Sequence, residues 1–175
     1  MPASAPYRRR RRPAEPERPL ETRPGEAVVW TDGACRGNPG PGGWAAIVVP
    51  AQGGEDVELS GGEAHTTNNR MEYTAAIEGL RSLPDGSMVC IVTDSRLMLD
   101  SMTKWIHGWK KKGWKTAGGD PVKNQDLVMA LDAEIARHSE VRWHWVKGHE
   151  TGAQHAHKAR NDRDDQLAVA AAARF

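Results

Sequence analysis

The chain lacks the features that would place it in a membrane, in a thiolate metal cage or in an oxidising compartment. No run approaches the roughly 20 apolar residues needed to span a bilayer. The amino-terminal arginines are followed by no apolar segment of the signal-peptide kind, so a secretory leader is not expected. Cysteine is scarce: Cys35 and Cys90 stand far apart with no metal-binding spacing. Two idle thiols in a reducing cytoplasm are the expectation, ahead of a bridge. No internal repeat is visible. What remains is a 175-residue chain, long enough for one hydrophobic core without disulfide or metal staples.

A net charge of +1 hides an uneven distribution. Residues 1–25 hold seven Arg against three Glu, a net of +4, which leaves −3 for the rest. Within that acidic body, residues 104–123 carry six Lys and one Asp. One basic arm and one basic internal segment suit a polyanionic partner better than a membrane surface. Residues 1–25 are rich in Pro, Arg and Glu with almost nothing to bury, so a disordered extension is expected there, with the folded domain over 26–175. A solvated tail is favoured over a defined binding arm.

From Glu26 onward the elements are readable. "AVVWTD" and "GWAAIVVP" are predicted strands joined by a Gly/Pro loop, and "EDVELSG" a short third strand. "TNNRMEYTAAIEGLRSL" is a predicted helix with Asn68 or Asn69 as cap, ended by Pro84-Asp85-Gly86. "SMVCIVTD" is a strand, "SRLMLDSMTKWI" a helix, and "NQDLVMALDAEIARH" a long helix with Leu127, Leu131 and Ile135 on one face. "EVRWHWVKG" alternates as a strand, and "RNDRDDQLAVAAAARF" closes the chain as a helix. Three meandering strands followed by strands alternating with helices predict a five-stranded mixed α/β sheet with helical cover.

Asp32 and Asp94 both end strongly apolar strands. Neighbouring strands lie about 5 Å apart, so two parallel neighbours would bring these carboxylates together at the carboxyl edge of the sheet. Bare, they would repel and one would take up a proton; a hard cation such as Mg²⁺ would reconcile them. Two solvated turn residues would explain the pair equally well. Periodicity alone puts Glu72 beside the buried face of its helix, one position past Met71, rather than into it. Asp165 reads locally as an exposed acid near a helix amino terminus.

Six motifs, "TDGACRGNPGPGG", "TTNNRMEYTAAIEGL", "VTDS", "WIHGWKKKGWKTAGGDPVKNQDL", "WHWVKGHE" and "NDRDDQLA", together resemble bacterial type 1 ribonuclease H, in the same order and over residues 26–172. The resemblance implies the ribonuclease H-like fold, with helices on both faces of the sheet. It implies an endonuclease that hydrolyses the RNA strand of RNA–DNA hybrids and leaves 5′-phosphate and 3′-hydroxyl ends. It further implies Mg²⁺ in one or two copies, for which Mn²⁺ can substitute, held by Asp32, Glu72, Asp94 and Asp165. Asp165 is taken over Asp164 because the family pattern runs Asn-x-Arg-x-Asp-x-Leu-Ala from Asn161. His149 matches a catalytic-loop histidine that titrates near working pH. A cytoplasmic monomer with no membrane partner is implied as well.

For the substrate, Cys35, Asn38, Thr67, Asn68 and Asn69 match positions lining the hybrid's minor groove and a phosphate site. Such a duplex is read by shape, phosphates and 2′-hydroxyls. Lys110, Lys111 and Lys112, with Lys104 and Lys115, match a basic protrusion gripping DNA phosphates. Trp105 and Trp109 lie on one helical face, so at least one is expected in the core. The chain departs from the pattern in a longer loop after His149 and in Arg96 where Gln is common. Two other classes fit the same architecture: a non-catalytic hybrid-binding module, and a metal-dependent nuclease acting on DNA. The presence of all four acids argues against the first, and the Trp/Lys segment against the second.

Overall fold

The structure, a computed structural model, describes residues 19–147 and 155–175, with side chains from 159 onward in the second stretch. The elements in order are β1 (Glu26–Cys35), β2 (Gly40–Val49), β3 (Val57–Thr66), α1 (Asn68–Arg81), β4 (Met88–Thr93), α2 (Arg96–Asp100), a π-helical turn (Ser101–Trp105), α3 (Ile106–Lys111), α4 (Gln125–Arg137), β5 (Glu140–Trp145) and α5 (His155–Ala172). The strands form one sheet in the order β3-β2-β1-β4-β5. β1 pairs antiparallel with β2, and β2 with β3, while β4 runs parallel to both β1 and β5. This is the mixed five-stranded sheet expected of the ribonuclease H-like fold.

β1 and β4 are apolar almost throughout because helices cover both of their faces. Successive side chains alternate between two cores. Val29, Val89 and Ile91 join Tyr73, Ile77 and Leu80 of α1 and Leu131 of α4 on one side. Val28, Trp30, Cys90 and Val92 gather on the other, where Leu167 of α5 packs against them. Cys35 and Cys90 are both free. Among the described residues no helix is long and apolar enough to cross a membrane.

Several elements differ from their sequence-based outlines. β3 runs ten residues, through Gly61 and Gly62 to Thr66. Those glycines, which looked like the end of a strand, lie against the Trp44 ring and the Phe175 ring, where a Cβ would collide. The helix expected over 95–106 is divided by the π-helical turn, whose Ser101 is buried and hydrogen-bonded by the Tyr73 hydroxyl at 2.9 Å. In α4 the fully buried residues are Val128 and Leu131, with Leu127 and Ile135 only partly covered. α5 begins at His155, five residues before the expected start.

Residues 20–23, at the end of the expected extension, are tied to the sheet. Leu20 packs against the Val28–Trp30 core, and Arg23 pairs with Glu140 at 3.0 Å. Beneath them Arg142 of β5 grips the enclosed carboxylate of Glu26 with two bonds of 2.6 Å and also donates to the Glu21 carbonyl. Burial alone would push the Glu26 carboxyl up; the Arg142 hydrogen bonds and charge outweigh it and hold the group below its usual range. Replacing Arg142 with Met strands that charge and is expected to cost about 3 kcal/mol at pH 7 by denaturant unfolding. A lowered carboxylate pKa contributes stability only above the unfolded value. The gap between wild type and Arg142→Met should therefore close as pH falls below about 4.

Candidate active site

Three constraints in the backbone bring the acids together. The first is strand register: β1 and β4 run parallel with Trp30 level with Val92, and the same register carried two residues further sets Asp32 level with Asp94. The second is Gly33. A Cβ there would lie 2.8 Å from the Glu72 backbone nitrogen and 2.9 Å from the Met71 Cβ. Only glycine lets the start of α1 come this close to the end of β1. The third is Gly43 on β2, where a Cβ would collide with the backbone of α5 at Ala168 and Ala172. That contact seats α5, and with it Asp165, against the sheet.

One carboxylate oxygen from each of Asp32, Glu72 and Asp94 lies within 4.8 Å of the others. Asp165 stands near enough for its charge to push the Asp32 carboxyl up. Asp32 and Glu72 are buried and Asp94 half-buried. The Gly33 amide donates to Asp32 Oδ1 at 2.9 Å, and the Trp145 indole donates to the Asp94 carbonyl at 3.3 Å. Arg96, the departure beside Asp94, lies over the Trp145 ring at 5.5 Å.

Burial, then the charges of Asp94 and Asp165, push the Asp32 carboxyl up to about 8 against the opposing Gly33 amide. Burial, then Asp94, Asp32 and Asp164, drive Glu72 well above the ordinary range. Glu72 Oε2 is enclosed with no hydrogen-bond partner among the described residues. An all-oxygen donor set with repelling carboxylates and an orphaned buried oxygen fits a hard divalent cation.

The expected substrate residues lie at the end of β1, in the β1–β2 loop and at the start of α1. The Cys35 thiol donates to the Gly37 carbonyl at 2.8 Å. Asn38 Oδ1 accepts from the Asn68 amide at 3.1 Å, so loop and helix are joined directly. Neither asparagine caps α1: Thr67 does, its hydroxyl accepting from the Arg70 amide at 3.3 Å. Asn68 is left exposed and Asn69 half-buried at the same helix end. On the protrusion, Trp109 packs against the core and Trp105 is exposed, their rings 6.1 Å apart. Lys104, Lys112 and Lys115 border a shallow pocket of about 390 Å³ beside these rings. Lys110 is held by Asp132 at 2.8 Å and Lys104 by Asp100 at 3.5 Å; Lys111 is exposed.

Two features escaped the sequence-based reading. Glu72 is buried and aimed into the cluster rather than flanking the core, because Gly33 draws its backbone against β1. Asp164, set aside in favour of Asp165, is wholly buried beside it. Its spacing with Ala168 and Ala171 was the available signal. His149 lies outside the described residues.

The raised carboxyls give the cation-free protein a pH signature. An acid whose folded pKa exceeds its unfolded value contributes stability below the unfolded value and loses it as pH rises through the folded one. For Asp32 that window runs from 3.8 to about 8. The thermal midpoint in EDTA is expected to fall across roughly pH 5 to 8, and millimolar MgCl₂ to restore it. A midpoint indifferent to both would contradict the geometry.

Comparisons with known proteins give the family. The RNase H family model matches residues 24–173. A ribonuclease HI of Neisseria meningitidis is 54% identical over 147 residues, covering 84% of this chain and 95% of the relative. A ribonuclease H of Paracoccus denitrificans is 52% identical over 150 residues, covering 84% and 92%. Among solved structures, LC9-RNase H1, described as a type 1 RNase H with the type 2 active-site motif, superposes with a TM-score of 0.69 at 33% identity, covering 88% of this chain and 75% of that one. LC11-RNase H1, solved in complex with an RNA/DNA hybrid, shares the fold with a TM-score of 0.59 at 22% identity, covering 85% and 97%. With its register, its acid cluster and its nearly full-length relatives in agreement, this chain belongs to the ribonuclease H family.

Proposed function

We propose that the chain is an endoribonuclease that cleaves the RNA strand of RNA–DNA hybrids at the acid cluster, with Mg²⁺ as the working ion and Mn²⁺ able to replace it. The observation that carries this reading is the convergence of Asp32, Glu72 and Asp94 within 4.8 Å, with the charge of Asp165 acting on Asp32. Asp32, Glu72 and Asp94 would hold the ions together, with Asp165 as the fourth acid, and would place them where water is activated for attack. Bound divalent cations supply a stronger nucleophile and charge stabilisation on the leaving oxygen. The chain's part is to fix the donors on strands and a capped helix and to keep Glu72 and Asp32 out of bulk water. His149 is assigned by its motif to move a proton or to help release product.

The substrate is held on two sides. Cys35, Asn38, Thr67, Asn68 and Asn69 face the minor groove and a backbone phosphate beside the acids, where shape and 2′-hydroxyls distinguish RNA from DNA. Trp105, Trp109, Lys110, Lys111 and Lys112 take the DNA strand. Residues 26–175 are the catalytic domain, with residues 20–23 tied to its sheet. The protein works as a cytoplasmic monomer.

A strand-resolved cleavage assay on labelled hybrid, duplex DNA and duplex RNA tests the reading. Cleavage confined to the RNA strand of the hybrid is expected. Asp32→Asn should lower turnover at least about a thousandfold while hybrid binding persists. Cleavage of duplex DNA, or full activity in the variant, would overturn it. Replacing Lys110, Lys111 and Lys112 together by Ala should weaken hybrid binding without altering the Mg²⁺ dependence of cleavage. Because Asp132 already engages Lys110, the slope of log affinity against log salt should fall by about two rather than three. An unchanged slope would remove the protrusion from the substrate grip.

A further inference from the structure

α5 docks on the sheet through a stripe in which Asp164, Ala168 and Ala171 are all 0% exposed. Such a stripe ordinarily carries apolar groups, and here three small residues would suffice. Instead its first position is a carboxylate. Both Asp164 oxygens are enclosed, and no described group bonds to either. The nearest cations on its own helix face elsewhere: Arg160 pairs with Asp56 at 3.0 Å and Arg163 with Glu58 at 2.8 Å, both on the β3 side. The largest charge effects on Asp164 come from other acids, Asp32, Asp94, Asp165 and Glu58. An enclosed carboxylate with no donor and no counter-charge is costly, and native proteins keep such groups for a reason.

We propose that Asp164 is a fifth carboxylate of the cation site, set beside Asp165 on α5 and adding its charge to the field that holds the ions. A cation in the cluster supplies the counter-charge that α5 withholds, so ion binding and the seating of α5 on the sheet strengthen each other. Asp164 is a positioning residue: it acts through the ions and through its neighbour Asp165 rather than on the substrate. This inference rests on the reading of Asp32, Glu72, Asp94 and Asp165 as cation ligands.

The test is calorimetric titration of the substrate-free full-length protein with Mn²⁺ and with Mg²⁺, alongside thermal unfolding with and without each ion. Asp164→Asn keeps the shape and removes the charge. Asp164→Ala matches the alanines of the same stripe and serves if the Asn variant does not fold. Both are expected to bind the ions about tenfold more weakly, as loss of an outer partner of a metal site usually does, and to show a smaller ion-induced rise in midpoint. Asp165→Asn is the reference for the underlying reading. If it loses affinity while both Asp164 variants bind like wild type, the inference is overturned and the four-acid site stands. A lower midpoint in the Asp164 variants with unchanged affinity means a packing role and overturns it equally. If Asp165→Asn also binds like wild type, the cation-site reading itself fails.

Discussion

Like charges held within 4.8 Å where water barely reaches set the terms for the rest of this molecule. Left bare, Asp32, Glu72 and Asp94 oppose their own assembly through desolvation and mutual repulsion. The scaffold must therefore hold them together by other means, and its stiffest parts are spent there. β1 and β4 are hydrogen-bonded in parallel at the centre of the sheet, each covered on both faces. α1 is capped by Thr67 and pressed against β1 at Gly33; α5 is pressed against β2 at Gly43. Strain against folding at the site is offset by apolar burial on either side of it, and by a cation once bound.

The opposite end of the sheet shows the reverse solution to the same problem. Glu26 is as enclosed as Asp32 and Glu72, but Arg142 meets it with a two-pronged contact. One buried carboxylate is neutralised by a side chain and is structural. Asp32 and Glu72 are instead surrounded by further carboxylates, whose charges push both carboxyls up. The contrast separates a carboxylate kept for stability from carboxylates kept for chemistry more cleanly than burial does.

Much of this was legible in the residues, because the signals were local. Alternation and apolar runs gave the strands, and two strands ending in Asp pointed to a shared edge before any coordinates. What stayed hidden depends on approach in space. Periodicity in "NNRME" does not show that Glu72 turns inward; only the motif's resemblance assigned it to the site, and the physical cause is the missing Cβ of Gly33, 39 positions earlier. The buried state of Asp164 hid behind a chain of acids and arginines that reads as a solvated helix surface. Glycines at 61 and 62 looked like a strand end because their neighbours, Trp44 and Phe175, come from distant parts of the chain. The Tyr73–Ser101 bond, spanning 28 residues, has no periodic trace.

That last bond links parts with different duties. Tyr73 follows Glu72 on α1, and Ser101 opens the π-helical turn from which the lysine-bearing α3 projects. The helix that supplies one acid thus also braces the root of the lysine-bearing segment. The distance between the acid cluster and those lysines is set by the protein's own framework, with a buried hydroxyl pair as its pin.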